Sequence, residues 1–359
     1  MLLDEFIDVY LQNYRSYKDK WNYEDGCVLK GSWDLYRSTG AEKYKEFVLR
    51  YIDGFIDGDG NIKGYDPRRH QLDDINSGKV LFDLFGVVQE SRLINAIECM
   101  YKQIKSQPRT KDGNFWHKDI YPDQVWLDGL YMVMPFYIKY EKKFNNSSNI
   151  RDIINQFINV RKYMKNEKTG LYYHGYDESR QEAWSDKATG VSPNFWGRAE
   201  GWFMMALIDV LEEMNGMAAE FKEELLYMFR EAIDSLLKYQ DTATGMWYQV
   251  IDKGQAEGNY LEASATLMIA YSILKGCRLG FLEQEYRQYG EKAFNGTVNK
   301  YLILDGNKIS LVGICSVAGL GNSPYRDGSF KYYISEKIVS NDPKGVGALL
   351  MVYSEAMLT

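Results

Sequence analysis

Asp128 is the carboxylate best placed in this sequence to do chemistry. It lies in the stretch from Gly113 to Met132, where Gly113 and Pro122 punctuate a loop and apolar spacing resumes at Val125. That pattern puts Asp128 in the first turn of a helix, among Trp126, Leu127, Leu130, Tyr131 and Met132. A carboxylate there is costly unless the helix start or a hydrogen bond compensates it. Beside an indole, desolvation raises its pKa until it can deliver a proton near neutral pH, which is what a sugar-processing site needs. Alone, Asp128 reads first as a decoration of a helix N-terminus; its neighbours elsewhere in the chain decide against that.

Two acids, Asp73 and Asp74, open a helical stretch in Gln71-Leu72-Asp73-Asp74-Ile75-Asn76-Ser77-Gly78-Lys79. N-capping accounts for at least one of them, and a second carboxylate across from Asp128 would complete the pair that glycosidic chemistry normally uses. All three histidines fall in loops shortly after a glycine. His70 is read as an exposed polar residue. His117 and His174 hold matching places beside ring residues, which points to substrate contact. No His-x-x-x-His or Cys/His spacing supports zinc, and no metal or other cofactor is expected. In Phe195–Trp202, Arg198 and Trp202 are four apart and share a helix face, so a guanidinium beside an indole could hold a carboxylate or a hydroxyl edge. Glu200 points elsewhere on that helix. Tyr23, in Trp21–Gly26, precedes the second helix and reaches the same rim.

The elements that must position these groups are helices, with strand-like alternation brief and confined to loops. Helices are expected near 2–17, 26–38, 41–56, 72–85, 90–106, 125–143, 148–165, 194–215, 218–239, 258–276, 283–298 and 344–357. After alternate helices a glycine is followed by alternating apolar and aromatic residues, at Gly60, Gly113, Gly170, Gly245 and Gly328. Helix pairs recurring every fifty to eighty or so residues mark a helical array with its loops on one functional face. About six helical hairpins can close into an all-α (α/α)6 barrel around a central hole; an open solenoid has the same local pattern. No linker or low-complexity boundary interrupts residues 1–359, so one domain is expected.

Composition narrows the partners. A 359-residue chain with 45% hydrophobic residues and a formal charge of -7 fits a globular protein, and no dense Lys/Arg run suggests nucleic acid. In so acidic a chain, any basic residue at the site gains weight. The four cysteines are scattered, the N-terminus has no basic start and apolar block, and no stretch is apolar enough to span a bilayer. These features predict a cytoplasmic protein with reduced thiols and no membrane partner; nothing indicates the oligomeric state. Aromatics reach 15%, many beside loop glycines where no core needs them, and a Trp- and Tyr-rich pocket suits sugar rings.

Taken together, Trp21–Gly26, Leu72–Gly78, His117–Met132, His174-Gly175-Tyr176-Asp177 and Trp196–Trp202 resemble the unsaturated rhamnogalacturonyl hydrolases, glycoside hydrolase family 105. The likeness covers nearly the whole chain, and Trp-Leu-Asp-Gly-Leu-Tyr-Met is its most specific part. It implies an (α/α)6 barrel that removes a Δ4,5-unsaturated galacturonyl residue from the non-reducing end of a lyase product, an unsaturated oligosaccharide. It makes Asp128 the acid/base that protonates C4 of the enol ether and helps water add at C5. It makes Asp73 the second acid, with Asp74 able to trade places with it. It assigns Trp126 and Trp202 as ring-binding walls and His117, Arg198 and Tyr23 as polar contacts. His174 matches a position selective for galacturonyl-rhamnose substrates. The loop Glu178–Lys187 has no counterpart in that pattern. The competing expectations are an unsaturated glucuronyl hydrolase for glycosaminoglycan disaccharides, a non-catalytic carbohydrate-binding helical-repeat protein, and an inverting hydrolase of saturated glycans.

Overall fold

A computed structural model describes residues 2–217 and 219–358. Helices with an apolar stripe and helices apolar all round alternate along the chain, and that alternation builds two concentric rings. The outer helices are α1 (Leu2–Gln12), α3 (Glu42–Phe55), α5 (Ser91–Ser106), α7 (Ile150–Met164), α9 (Ala219–Leu237) and α11 (Arg287–Tyr301). The inner ones are α2 (Tyr23–Thr39), α4 (Lys79–Val88), α6 (Leu127–Phe144), α8 (Gly197–Glu213), α10 (Ala263–Arg278) and α13 (Pro343–Met357). In α5 the buried apolar residues Leu93, Ala96, Ile97, Met100, Tyr101 and Ile104 keep the spacing of a single stripe. In α8, by contrast, every residue from Gly197 to Leu211 is buried.

The inner ring closes. α2 packs on the turn 72–78 that leads into α4, that turn on α6, α6 on α8, α8 on α10, α10 on α13, and α13 back on α2. The (α/α)6 barrel is therefore real and an open solenoid is not. Closure depends on close backbone approach: a Cβ on Gly347 of α13 would lie 2.5 Å from the Cys27 carbonyl carbon of α2, and one on Gly31 would lie 2.6 Å from Leu350 Cβ.

Three sequence expectations are corrected. The first helix stops at Gln12 instead of Tyr17, because the buried Asp25 carboxylate gathers the chain that follows. Ser16 Oγ and the Tyr17 amide donate to it at 2.6 and 3.0 Å, as do the Tyr14 hydroxyl and Asn22 Nδ2. The expected helix over 72–85 is a 3-10 turn at Leu72–Gly78 followed by α4. A thirteenth, short helix, α12 (Phe330–Ser335), lies in a loop expected to be irregular, with Ser329 capping the Tyr332 amide. Strand is limited among the described residues to three antiparallel ribbons. These are β1 (Gln124–Trp126) with β2 (Gly175–Asp177), β3 (Leu302–Asp305) with β4 (Lys308–Leu311), and β5 (Ile314–Cys315) with β6 (Ile338–Val339). The recurring loop glycines at 60, 113, 170, 245 and 328 all have positive φ and turn the chain within the loops that follow the outer helices. Among the described residues no helix is long and apolar enough to cross a membrane.

Candidate active site

Antiparallel hairpins put the N-termini of all the inner helices at the same end of the barrel, and the candidate residues follow them there. Tyr23 is the first residue of α2, Asp128 lies in the first turn of α6, and Arg198 is the second residue of α8. Converging helix N-termini carry partial positive charge and favour an anion. A cavity of about 310 Å³ opens at this end. Of the residues singled out from the sequence, Tyr23, Asp73, Asp74, His117, Trp126 and Asp128 line it, whereas His174, Arg198 and Trp202 do not.

Asp128 sits beneath an aromatic wall. Trp126 stacks on His117 with ring centroids 4.6 Å apart and on Tyr121 at 4.8 Å. Asp128 Oδ2 is enclosed and makes no hydrogen bond to the protein. His174 Nε2 lies 3.3 Å from that oxygen but is not aligned to bond with it. The other ring nitrogen of His174, Nδ1, is 2.8 Å from the Tyr333 hydroxyl. A phenol donating to Nδ1 leaves the imidazole proton on Nε2, next to Asp128. His174 is thus wholly buried behind the carboxylate, and the expected sugar contact gives way to contact with the acid itself.

The paired acids have opposite electrostatics. Burial pushes the Asp73 carboxyl up, but the groups around it, above all Lys118 with its Nζ 2.6 Å from Oδ2, together reverse this and hold it below its ordinary value. Burial and the neighbouring Asp73 charge push Asp74 the other way, to about 6, with Arg69 at 2.9 Å partly opposing them. Neither acid caps a helix: the residue before the turn is Gln71, which makes no capping bond with its side chain, and the carboxylates are held by cations instead. Burial also drives His117 down to about 4, so its imidazole is neutral at pH 7, with Nε2 3.5 Å from Asp73 Oδ1.

Two expectations about α8 are corrected. Arg198 stacks on Trp196, 4.7 Å from the ring centroid, and not on Trp202. Its guanidinium donates to the carbonyl oxygen of Cys315, so it ties down the segment that brings Val317 and Ala318 to the cavity. Trp202 packs in the core against Tyr131, with centroids 4.9 Å apart, and is no wall of the cavity. Glu200 is structural: it accepts the Tyr172 amide, and burial pushes its carboxyl up to about 8.

Sequence reasoning missed Lys118, Tyr121 and Arg326. Lys118 and Tyr121 flank motifs already singled out, and in an acidic chain the cation beside His117 was a usable signal. Arg326 had none, because it arrives from a loop almost two hundred residues further on. Its Nε donates to the Gly321 carbonyl at 3.3 Å, and among the described residues no carboxylate pairs with it. The loop 178–187 also gains a role. Asp177 holds it by accepting from Ser179 and Ser185 hydroxyls and from the Glu182 amide. Trp184 then packs with Tyr121, Trp126 and Leu320 as a small apolar cluster outside the main core. Among the described residues no group of three or more His, Cys, Asp or Glu is arranged to hold a metal ion.

The model of Glycosyl Hydrolase Family 88 matches residues 4–359. The chain belongs to this family. A Clostridium structure (C. acetobutylicum ATCC 824), a glycoside hydrolase from family 105, superposes on the family 88 chain with a TM-score of 0.94 and 44% identity, covering 100% of this chain and 99% of that one. A protein of Agrobacterium fabrum is 39% identical over 236 residues, 63% of this chain and 99% of its own length. The unsaturated rhamnogalacturonyl hydrolase YesR of Bacillus subtilis is 24% identical over 279 residues, 76% of this chain and 74% of its own length. The resemblance to family 105 seen in the motifs is borne out, and the family assignment makes the protein a glycosidase.

Proposed function

We propose that this glycosidase removes a Δ4,5-unsaturated galacturonyl residue from the non-reducing end of rhamnogalacturonan lyase products by hydrating its enol ether. The observation that carries the proposal is the enclosed Asp128 oxygen, unbonded to protein and set beside a Trp126 wall in an anion-friendly cavity. Asp128 protonates C4 while a water, held near Asp73, adds at C5. The hemiketal so formed opens, and the aglycone leaves from C1 as an alcohol. The uronate carboxylate meets Arg326 and the helix N-termini, and the sugar face lies against Trp126. The relationship to YesR favours a galacturonyl-rhamnose substrate.

Loss of the double-bond absorbance on unsaturated rhamnogalacturonan and chondroitin products, with reducing-sugar release followed on saturated oligosaccharides, tests this directly. Turnover of the first is expected to exceed the others. Preference for the chondroitin product makes the protein an unsaturated glucuronyl hydrolase, and release from saturated chains removes the hydration chemistry.

Lys118 supplies a pH test. Asp73 has a depressed pKa, so its ion pair stabilises the site above the ordinary carboxylate range and is lost as pH falls through the depressed value. Lys118→Met leaves the buried Asp73 without its cation, and its pKa should rise. The acid limb of the kcat/KM profile is expected to move up with it, and Lys118→Arg to restore most of the shift. An unmoved limb would mean that an ionised Asp73 is not needed.

A further inference from the structure

A second and larger cavity, of about 570 Å³, lies between α1 and the loops around 307–309 and 339–343, within the size range of small-ligand sites. Its lining meets that of the catalytic cavity along two strips of chain. Tyr17 and Ser316 line the second cavity, and their neighbours Lys18 and Val317 line the first. Lys18 Nζ bridges the boundary, 5.4 Å from the Tyr17 ring centroid and 5.6 Å from that of Tyr23. The two cavities therefore adjoin.

The chemistry of the second cavity is that of a site for acidic sugars. Tyr10, near the end of α1, and Tyr14, just beyond it, have ring centroids 5.5 Å apart with planes tilted by 52°, and Tyr17, 45% exposed, adds a third ring. Such rings pack on the C–H surfaces of pyranose rings. Four charged side chains line the same space: Glu5, Asp342, which is paired with Lys344, and two cations without a carboxylate partner among the described residues. The Arg15 guanidinium donates only to the Tyr14 carbonyl at 3.1 Å, and Lys308 stands at the start of β4, beside the β3–β4 turn. An acidic protein that keeps two unpaired cations over a tyrosine face is equipped for a chain bearing spaced carboxylates.

We propose that this cavity is an accessory subsite for the sugars beyond the first aglycone unit, taking an alternating uronate-containing oligosaccharide with Arg15 and Lys308 about the carboxylate of its second uronate. The proposal rests on the functional reading above, and it implies that longer lyase products are better substrates than disaccharides. The test compares wild type with Arg15→Ala/Lys308→Ala on unsaturated rhamnogalacturonan di- and tetrasaccharides. Calorimetry of the saturated tetrasaccharide, which lacks the enol ether, accompanies it. The double variant should keep disaccharide kcat/KM within about twofold, as expected of exposed positions outside the catalytic cavity. It should lose about five- to tenfold on the tetrasaccharide, and bind the saturated chain more weakly by a similar factor. Equal losses on both lengths, or no loss on the longer one, would overturn the subsite. If no unsaturated substrate is turned over at all, the functional reading fails. The calorimetric comparison then still decides the subsite, because unchanged binding in the double variant, or no binding by wild type, excludes it.

Discussion

Asp128→Asn should fold as the wild type does and still bind unsaturated oligosaccharide, but turn it over at least about a hundredfold more slowly. The amide is isosteric with the carboxylic acid and can remain beside His174 Nε2, 3.3 Å away in the wild type. It cannot give up a proton to C4 or take one from water. The loss should appear in kcat, with the melting midpoint unchanged, because Asp128 makes no hydrogen bond through Oδ2 that the fold depends on. A drop of only about twofold, below what a positioned acid/base supplies, would refute the assignment and favour a binding protein without catalysis.

Gly347→Ala should be strongly destabilising although it lies away from the site. The added methyl would sit 2.5 Å from the Cys27 carbonyl carbon and 2.6 Å from Cys27 Cβ, so two inner helices must move apart. Backbone cannot yield as a long side chain would, and the cost should reach roughly 3 kcal/mol, the upper end for overpacking. Gly54→Ala in α3 is the control, since a Cβ there meets nothing within 4 Å. That change should be neutral or stabilise by up to about 1 kcal/mol. Denaturant midpoints of the two variants check both. If they match, the α2–α13 contact does not close the ring.

The barrel was legible in the sequence because its signals are local and repeated: periodic apolar spacing, a loop glycine, then an aromatic run. The cavity acids were legible because Trp126, Asp128, His117 and Asp73 lie in compact motifs at inner-helix starts. Depth was not. On an outer helix, residues four apart share a face whose exposure the stripe reveals. On α8, buried on all sides, Arg198 and Trp202 share a face and yet one reaches the Cys315 carbonyl while the other packs on Tyr131. Likewise, two adjacent acids at a helix start looked like caps, and only the arrival of Lys118 beside Asp73 shows why their carboxyls shift in opposite directions. The end of α1 was missed for the same reason, since the acceptor that draws the chain away is Asp25, in the next helix.

The path of solvent oxygen tests the central chemistry most directly. Unsaturated disaccharide turned over briefly in oxygen-18 water, and quenched before carbonyl exchange, should carry the label at C5. The aldehyde oxygen at C1 should be the former ring oxygen, unlabelled. Label at C1 with none at C5 would mean displacement at the anomeric carbon, and the hydration account built on Asp128 would be wrong.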